Sequence, residues 1–324
     1  MKVAFVQCPA WVIYSPPYAP ALIGAALQKS GHIVKCYDLN IGLYNKLQNE
    51  NAVLCSIDQY SWEHDRIETD WVNEKNTFEI FSAFKSYFEE ILKDINLFGA
   101  DIVCFTVQRT SAYFSMIFAN FIKQNHPVLK ILWGGPFCFK SCIKPEFLAA
   151  KVSEIDGICY SDGDKSLPFV LSYLEKNSVF PAIPGYYFRN HETEIYSDHP
   201  ATFSELDNIP FADYTLFELD KYSIFFLPVL ISRGCINRCS FCNEYTDWIR
   251  YQFRDPTIVV EELAYQKSIH PTITAFWLSC SNLAGNIPKL KQFCELLTQK
   301  NLHISWDSQL SISTALNPDL LKLM

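Results

Sequence analysis

No apolar run in the sequence approaches the ~18 residues needed to cross a membrane. Nor is a secretory leader expected: the Met1-Lys2 start runs into a short apolar stretch that Gln7, Pro9 and Pro16-Pro17 interrupt, with no small-residue cleavage site. Charge is sparse, at 19%, and basic residues do not prevail, since 27 Lys and Arg face 35 Asp and Glu for a net charge of −8. That balance excludes a broad electrostatic pull toward nucleic acid or anionic lipid. No repeat of fixed period and no low-complexity tract occurs. With these classes set aside, the expected setting is the cytoplasm, where thiols stay reduced. What the chain does have is apolar mass. Hydrophobic residues make up 49% of the 324 and aromatics 15%, ample for packed cores and far from a disordered composition; the length allows two domains.

The twelve cysteines are scattered singly except for three packed between positions 235 and 242. Cys8, Cys36, Cys104 and Cys159 lie in or beside apolar runs and read as small core residues. In a reducing compartment a tight cysteine cluster points to metal or redox chemistry instead of a disulfide.

Residues 2–7, a helix-like stretch from Pro20 to Lys29, the Gly31-His32 turn and a second apolar run at 33–37 form a βαβ pattern, so a parallel sheet is expected. Residues 41–76 read as polar and irregular, an insertion or cap with Trp62 and Trp71 as isolated anchors. From Thr77 one helix is predicted, with Phe81, Phe84, Phe88, Ile91 and Ile95 on its core face. Buried strands follow from Asp101 and from Lys130, with a helix near 111–124 between them, and a short strand ends at Ser161-Asp162-Gly163-Asp164. Gly185–Phe188 and Glu194–Tyr196 suggest a hairpin through Asn190. The proline-bearing stretch 201–226 reads as an extended linker between a first domain, 1–200, and a second, 227–324. In the second, strands are predicted at 228–232, 273–278 and 302–306 and helices at 257–268 and 287–299. The fold class is α/β, with a Rossmann-like open parallel sheet in the first domain.

The segment that carries chemistry is Arg233-Gly234-Cys235-Ile236-Asn237-Arg238-Cys239-Ser240-Phe241-Cys242, a C-x3-C-x2-C spacing directly after a predicted strand. Three thiolates on one loop can hold three irons of a cubane cluster and leave the fourth open to a small molecule, where ordinary [4Fe–4S] sites use four cysteines. The other reading is a zinc knuckle. Structural zinc takes four ligands, usually as two separated pairs, and here Cys280 or His270 would have to supply the fourth.

This loop resembles the signature of the radical S-adenosylmethionine (SAM) enzymes, including the aromatic Phe241 before the third cysteine. The resemblance extends along the chain to the subgroup with an N-terminal cobalamin-binding domain, through Pro16-Pro17, Gly31-His32, Asp38-Leu39-Asn40, Gly134-Gly135-Pro136, Ser161-Asp162-Gly163-Asp164, Ile209-Pro210-Phe211 and Trp248 through Asp255-Pro256. It implies that Cys235, Cys239 and Cys242 ligate a [4Fe–4S] cluster whose open iron binds SAM. It also implies that the backbone beside Phe241 contacts the adenine and that its ring shields the cluster. By the same resemblance, the rim holding Thr106, Gly134, Gly135, Pro136 and Gly163 would carry cobalamin, since open parallel sheets present ligand loops at the carboxyl ends of their strands. The second domain would be the N-terminal half of a partial (β/α) barrel.

The chain departs from the family pattern at three places. The D-x-H-x-x-G loop that supplies an axial histidine in many cobalamin proteins is absent; Cys8-Pro9-Ala10-Trp11-Val12-Ile13-Tyr14 stands there. Cobalamin without a histidine ligand is then the expectation, an empty Rossmann-like domain the alternative. Where relatives carry an acidic pair after the second barrel strand this chain has Cys280-Ser281, and Ser311 stands near the place of a common arginine. The half-barrel leaves three readings open: a fragment of a longer protein, a half-barrel completed by a partner chain, or a decayed relative. The implied activity is methyl transfer to an unactivated carbon of a small or lipid-like substrate, with electrons from a flavodoxin- or ferredoxin-type donor. Cyclisation or rearrangement is the alternative, as is a cofactor-binding module without turnover.

Overall fold

Runs of branched and aromatic side chains buried on both faces become parallel strands, because helices must cover each side of such a sheet. The computed structural model describes residues 1–50, 57–177, 179–189, 205–223, 226–244, 250–312 and 316–324. The chain divides into two compact units, one of Met1–Ala201 with Asp213–Ser223 and one of Thr202–Ala212 with Ile224–Met324.

In the first unit β1 (Lys2–Gln7), β2 (Ile33–Asp38), β3 (Ile102–Thr106), β4 (Lys130–Gly134) and β5 (Gly157–Cys159) run parallel, and β6 (Tyr186–Phe188) adds an antiparallel edge, in the order β2-β1-β3-β4-β5-β6. Alternate residues build two cores, as a period of two requires. Val3, Phe5, Cys104 and Leu132 pack with helices α1 (Tyr18–Lys29) and, further along the chain, α8 (Gly163–Leu174). Ala4, Val6, Phe105 and Trp133 face the other way, against a larger aromatic core.

That larger core corrects the reading of residues 41–76 as irregular. They belong to α2 (Leu39–Glu50), a 3-10 turn at Gln59–Trp62, α3 (His64–Trp71) and the start of α4 (Glu74–Ala83), with residues 51–56 outside the description. Polar side chains do the local work there: Asn73 caps α4 by accepting from Asn76 N–H, and Asp58 and Ser61 cap the 3-10 turn reciprocally. Trp62 and Trp71 meet edge-on at 5.0 Å, so neither is isolated. Apolar residues this sparse leave no legible helical period. The single helix expected from Thr77 is two, α4 and α5 (Lys85–Phe98), parted at the buried Phe84, whose φ of −108° and ψ of 23° leave the helical range. Phe81, Phe88 and Ile95 are buried as expected. Helix α6 (Ala112–Asn125) and α7 (Pro145–Lys151) complete this unit. Tyr186–Phe188 pairs with β5; the other arm of the expected hairpin, with Asn190, lies outside the described residues.

Within the stretch 201–226, expected as an extended linker, the described residues hold 3-10 turns at Leu206–Asn208, Tyr214–Leu216 and Leu219–Lys221. In the second unit β7 (Leu227–Leu230), β10 (Ala275–Ser279) and β11 (Ser305–Ser308) form a parallel sheet ordered β11-β10-β7, and β8 (Ser232–Arg233) pairs antiparallel with β9 (Gln252–Phe253). Helices α9 (Pro256–Ile269), α10 (Ile287–Lys300) and α11 (Pro318–Leu323) follow their strands. The last strand begins three residues later than expected, because Asn301 and His303 both adopt φ of 51° and prolong the turn. Among the described residues no helix is long and apolar enough to cross a membrane.

Candidate functional sites

Gln7, Thr106 and Gly134 end adjacent strands in register. The rim they form is the point where strand order reverses, with β2 on one side of β1 and β3 on the other, which is where open α/β sheets place ligands. The structure brings Thr106, Gly134, Gly135 and Pro136 together here. Gly163 opens α8 after the neighbouring β5. Much of this rim is committed to its own packing. Gly135 has φ of 97° and ψ of 175°, a region essentially closed to other residues, and a Cβ there would lie 2.8 Å from both the nitrogen and the oxygen of Val107. Val107 N–H donates to Gly134 O at 2.7 Å and Phe137 N–H to Val107 O at 3.1 Å. A Cβ on Gly163 would come within 3.1 Å of Ile23, so this glycine serves the approach of α8 to α1.

The loop after β1 is held by Asn40, which in the sequence stands only as part of the Asp38-Leu39-Asn40 match. Asn40, fully buried, accepts from Trp11 N–H at 2.9 Å and Trp62 Nε1–H at 2.6 Å, and its amide donates to Trp11 O and Val12 O at 3.1 and 3.2 Å. Thr110 Oγ1 adds a bond to Ala10 O at 2.8 Å. Burial pushes the Cys8 thiol far above the ordinary range, so it is inert. One polar atom stays open: Gln7 Oε1 is buried and has no hydrogen-bond partner among the described residues. A buried acceptor left unpaired is costly, and an amide-fringed ligand at this rim has the donors to satisfy it. On that observation the residues fit a corrin.

The cysteine loop leaves β8 through Gly234, at φ of 77°, and returns to β9. Its base is anchored by Arg254, fully buried, whose backbone N–H donates to Ile231 O at 3.0 Å and whose Nη1 donates to Leu230 O at 2.7 Å and Glu262 Oε2 at 2.6 Å. Glu262 also accepts from Ala212 N–H at 3.1 Å. Burial raises the Glu262 pKa and the Arg254 charge opposes that rise. Above this base the loop is open. Cys235 is partly buried and accepts from Asn237 N–H at 3.4 Å, while Cys239 and Cys242 are exposed and Phe241 is 89% exposed. All eleven cysteines among the described residues are free thiols.

Three accessible thiols on one loop fit a cluster by donor chemistry. As the loop stands, no group of three or more His, Cys, Asp or Glu among the described residues is gathered closely enough to hold a metal ion. Trp248 lies outside the described residues. At the carboxyl ends of the second sheet, Ser281 Oγ donates to the carboxylate of Glu244, two residues past Cys242. Cys280 Sγ lies 3.1 Å from Ser308 Oγ, and buried Asn282 accepts from Ala284 and Ser311 N–H at 3.2 and 3.1 Å. Ser281 thus hydrogen-bonds an acid supplied by the cysteine loop, a link that only tertiary structure reveals.

No protein-family model matches the chain. Over 193 residues it is 25% identical to the anaerobic magnesium-protoporphyrin IX monomethyl ester cyclase of Synechocystis sp., covering 57% of the chain and 37% of that protein. Over 237 residues it is 25% identical to an uncharacterized methyltransferase of Pyrococcus horikoshii, covering 70% of the chain and 50% of that protein. The chain therefore spans half the length or less of these curated relatives. Among solved structures it is similar to the cobalamin-dependent S-adenosylmethionine radical enzyme OxsB with aqua-cobalamin and S-adenosylmethionine bound, with a TM-score of 0.65 at 16% identity over 94% of this chain and 38% of that one. It is also similar to the radical S-adenosylmethionine methyltransferase TsrM from Kitasatospora setae with cobalamin and a [4Fe–4S] cluster bound, with a TM-score of 0.60 at 17% identity over 93% of this chain and 52% of that one.

The fold is the one these cobalamin-dependent radical SAM enzymes share, a Rossmann-like sheet followed by βα units of a partial barrel. Both comparisons return the resemblance first read from the cysteine loop.

Proposed function

We propose that the chain acts in a cobalamin-dependent radical SAM enzyme that transfers a methyl group to an unactivated carbon. The observation that carries this reading is the C-x3-C-x2-C loop with its thiols accessible, at the carboxyl end of the first strand of a parallel sheet. Cys235, Cys239 and Cys242 would hold a [4Fe–4S] cluster, and the rim of Gln7, Thr106, Gly134, Gly135, Pro136 and Gly163 would hold cobalamin. When bound, these groups supply one-electron cleavage of SAM and a carrier for the methyl group.

The chain's own residues then have defined tasks. Closing the loop brings the three thiols together and carries Phe241 from solvent onto the site, where its ring excludes water. Glu244, oriented by Ser281, is a carboxylate suited to the ammonium of SAM. The Arg254–Glu262 pair keeps the loop's base fixed while the loop moves. Asn40 keeps the loop after β1 in place without a histidine, so cobalamin would bind with no ligand from that loop. The substrate is a small or lipid-like molecule, and the electron comes from a flavodoxin- or ferredoxin-type protein.

The similarity to magnesium-protoporphyrin cyclases favours a second reading, ring closure with the same cofactors. Product analysis separates the two. The first test is anaerobic reconstitution with iron, sulfide and hydroxocobalamin followed by gel filtration. Co-elution of corrin absorbance with the iron-loaded chain supports the assignment; corrin that washes out at micromolar protein removes cobalamin from it.

A further inference from the structure

Two of the three loop cysteines are joined by a turn. Cys242 N–H donates to Cys239 O at 3.1 Å, which makes them the first and last residues of a β-turn with Ser240 and Phe241 at its centre. Such a turn brings its end Cα atoms within about 7 Å, and a disulfide spans Cα atoms about 4.4–6.8 Å apart. Both side chains are exposed, so an oxidant can reach either sulfur. The backbone is already folded back between them, and what remains is rotation of two surface side chains.

Cys235 stands apart from this couple. It is partly buried, and its Sγ already accepts Asn237 N–H at 3.4 Å. Its end of the loop leaves β8 directly, whereas the turn holding Cys239 and Cys242 lies further out between β8 and β9. Cys142 is the other exposed thiol among the described residues, and Cys138, four positions before it, is fully buried. Of the exposed thiols, then, only Cys239 and Cys242 among the described residues share a turn.

We propose that Cys239 and Cys242 form a reversible dithiol–disulfide couple that gates metal loading of the loop. The oxidant is a small disulfide of the glutathione class. One loop thiolate attacks it and expels one thiol; the second attacks the resulting mixed disulfide and expels the other. The bond between the two loop sulfurs forms as the oxidant's S–S bond breaks, and two electrons and two protons pass from the couple to the oxidant, which leaves as a pair of thiols. A dithiol reductant reverses the sequence. The closed loop keeps a single thiol, at Cys235, too few to hold a metal centre. The pairing itself does not depend on the proposed function; the gate rests only on the loop being a metal site.

The sequence supplies a direct map. Trypsin cleaves after Arg233, Arg238 and Arg250, so Cys235 falls in residues 234–238 while Cys239 and Cys242 share residues 239–250. The metal-free full chain is treated anaerobically with glutathione disulfide, alkylated and digested without reduction. Peptide 239–250 should appear unalkylated and lighter by the mass of both thiol hydrogens, with Cys235 alkylated. Cross-linking of 234–238 to 239–250 overturns the pairing, as does a peptide 239–250 that carries alkyl or glutathione groups on both cysteines. Cys235→Ser should keep the closed peptide, and its loss there overturns the couple.

Cobalt(II), titrated with no reductant present, reads the gate. The reduced chain should show thiolate-to-cobalt charge-transfer absorbance, the disulfide form about tenfold less at equal cobalt, and dithiothreitol followed by its removal should restore it. A disulfide form that binds cobalt as the reduced chain does overturns the gate, and so does a reduced chain with no such absorbance. Iron loading of the reduced chain tests the cluster reading separately.

Discussion

At the strand ends of the first sheet, glycines and polar side chains are already engaged by the protein itself. On the cysteine loop of the second unit, thiols and an aromatic ring face solvent. Gly135 exists for Val107, Gly163 for Ile23 and Asn40 for Trp11 and Trp62. Cys239, Cys242 and Phe241 have no comparable employment. The difference teaches that a glycine motif at a ligand rim can be required by packing before any ligand arrives. A thiol triplet on an open loop has no such internal reason, and its chemistry is the better guide to what it does.

Seven substitutions, at the loop and at the rim, test this contrast. The largest effect is expected at the loop: Cys235→Ala, Cys239→Ala or Cys242→Ala should each reduce reconstituted iron from about four per chain to a small residue, with urea unfolding of the metal-free protein changed by less than about 0.5 kcal/mol at the exposed Cys239 and Cys242. At the rim the order reverses, because stability suffers without any cofactor. Asn40→Ala leaves the Trp11 and Trp62 donors and two carbonyls unpaired and should cost about 3–4 kcal/mol in urea unfolding.

Gly135→Ala should cost about 2–3 kcal/mol, since the backbone conformation and the Val107 contact both exclude a side chain. Gly134→Ala, whose Cβ would meet Cys159 at an ordinary 3.6 Å, should stay within about 1 kcal/mol. Equal effects at the two glycines would remove the packing explanation. The smallest stability effect belongs to Phe241→Ser. A ring 89% exposed should change metal-free unfolding by less than about 0.5 kcal/mol, yet the reconstituted cluster should bleach faster in air. Unchanged bleaching would deny the ring its shielding role.

Much of the fold was legible because strands rich in branched and aromatic residues announce themselves. KVAFVQ, IVKCY, DIVCFTV and KILWGG all sit where their apolar runs indicate. The helices of residues 41–76 were not, since they are held by caps and by two tryptophans that meet only in three dimensions. The last strand's start was misjudged because two residues with left-handed backbone angles, Asn301 and His303, leave no hydrophobic signal. At the sites, spacing alone exposed Cys235, Cys239 and Cys242. Asn40 and Glu244 act through partners distant in sequence, such as Trp62 and Ser281. Their positions could be noticed in the sequence, but their work could not.

The proposed function stands on Cys235, Cys239 and Cys242 holding an iron–sulfur cluster with one iron open to SAM. Mössbauer spectroscopy of protein reconstituted anaerobically with ⁵⁷Fe, before and after SAM is added, tests it most directly. Expected are about four irons per chain in a cubane signature, with a single iron site altered by SAM. Stoichiometric zinc in place of iron, or a cluster whose four sites ignore SAM, would contradict it.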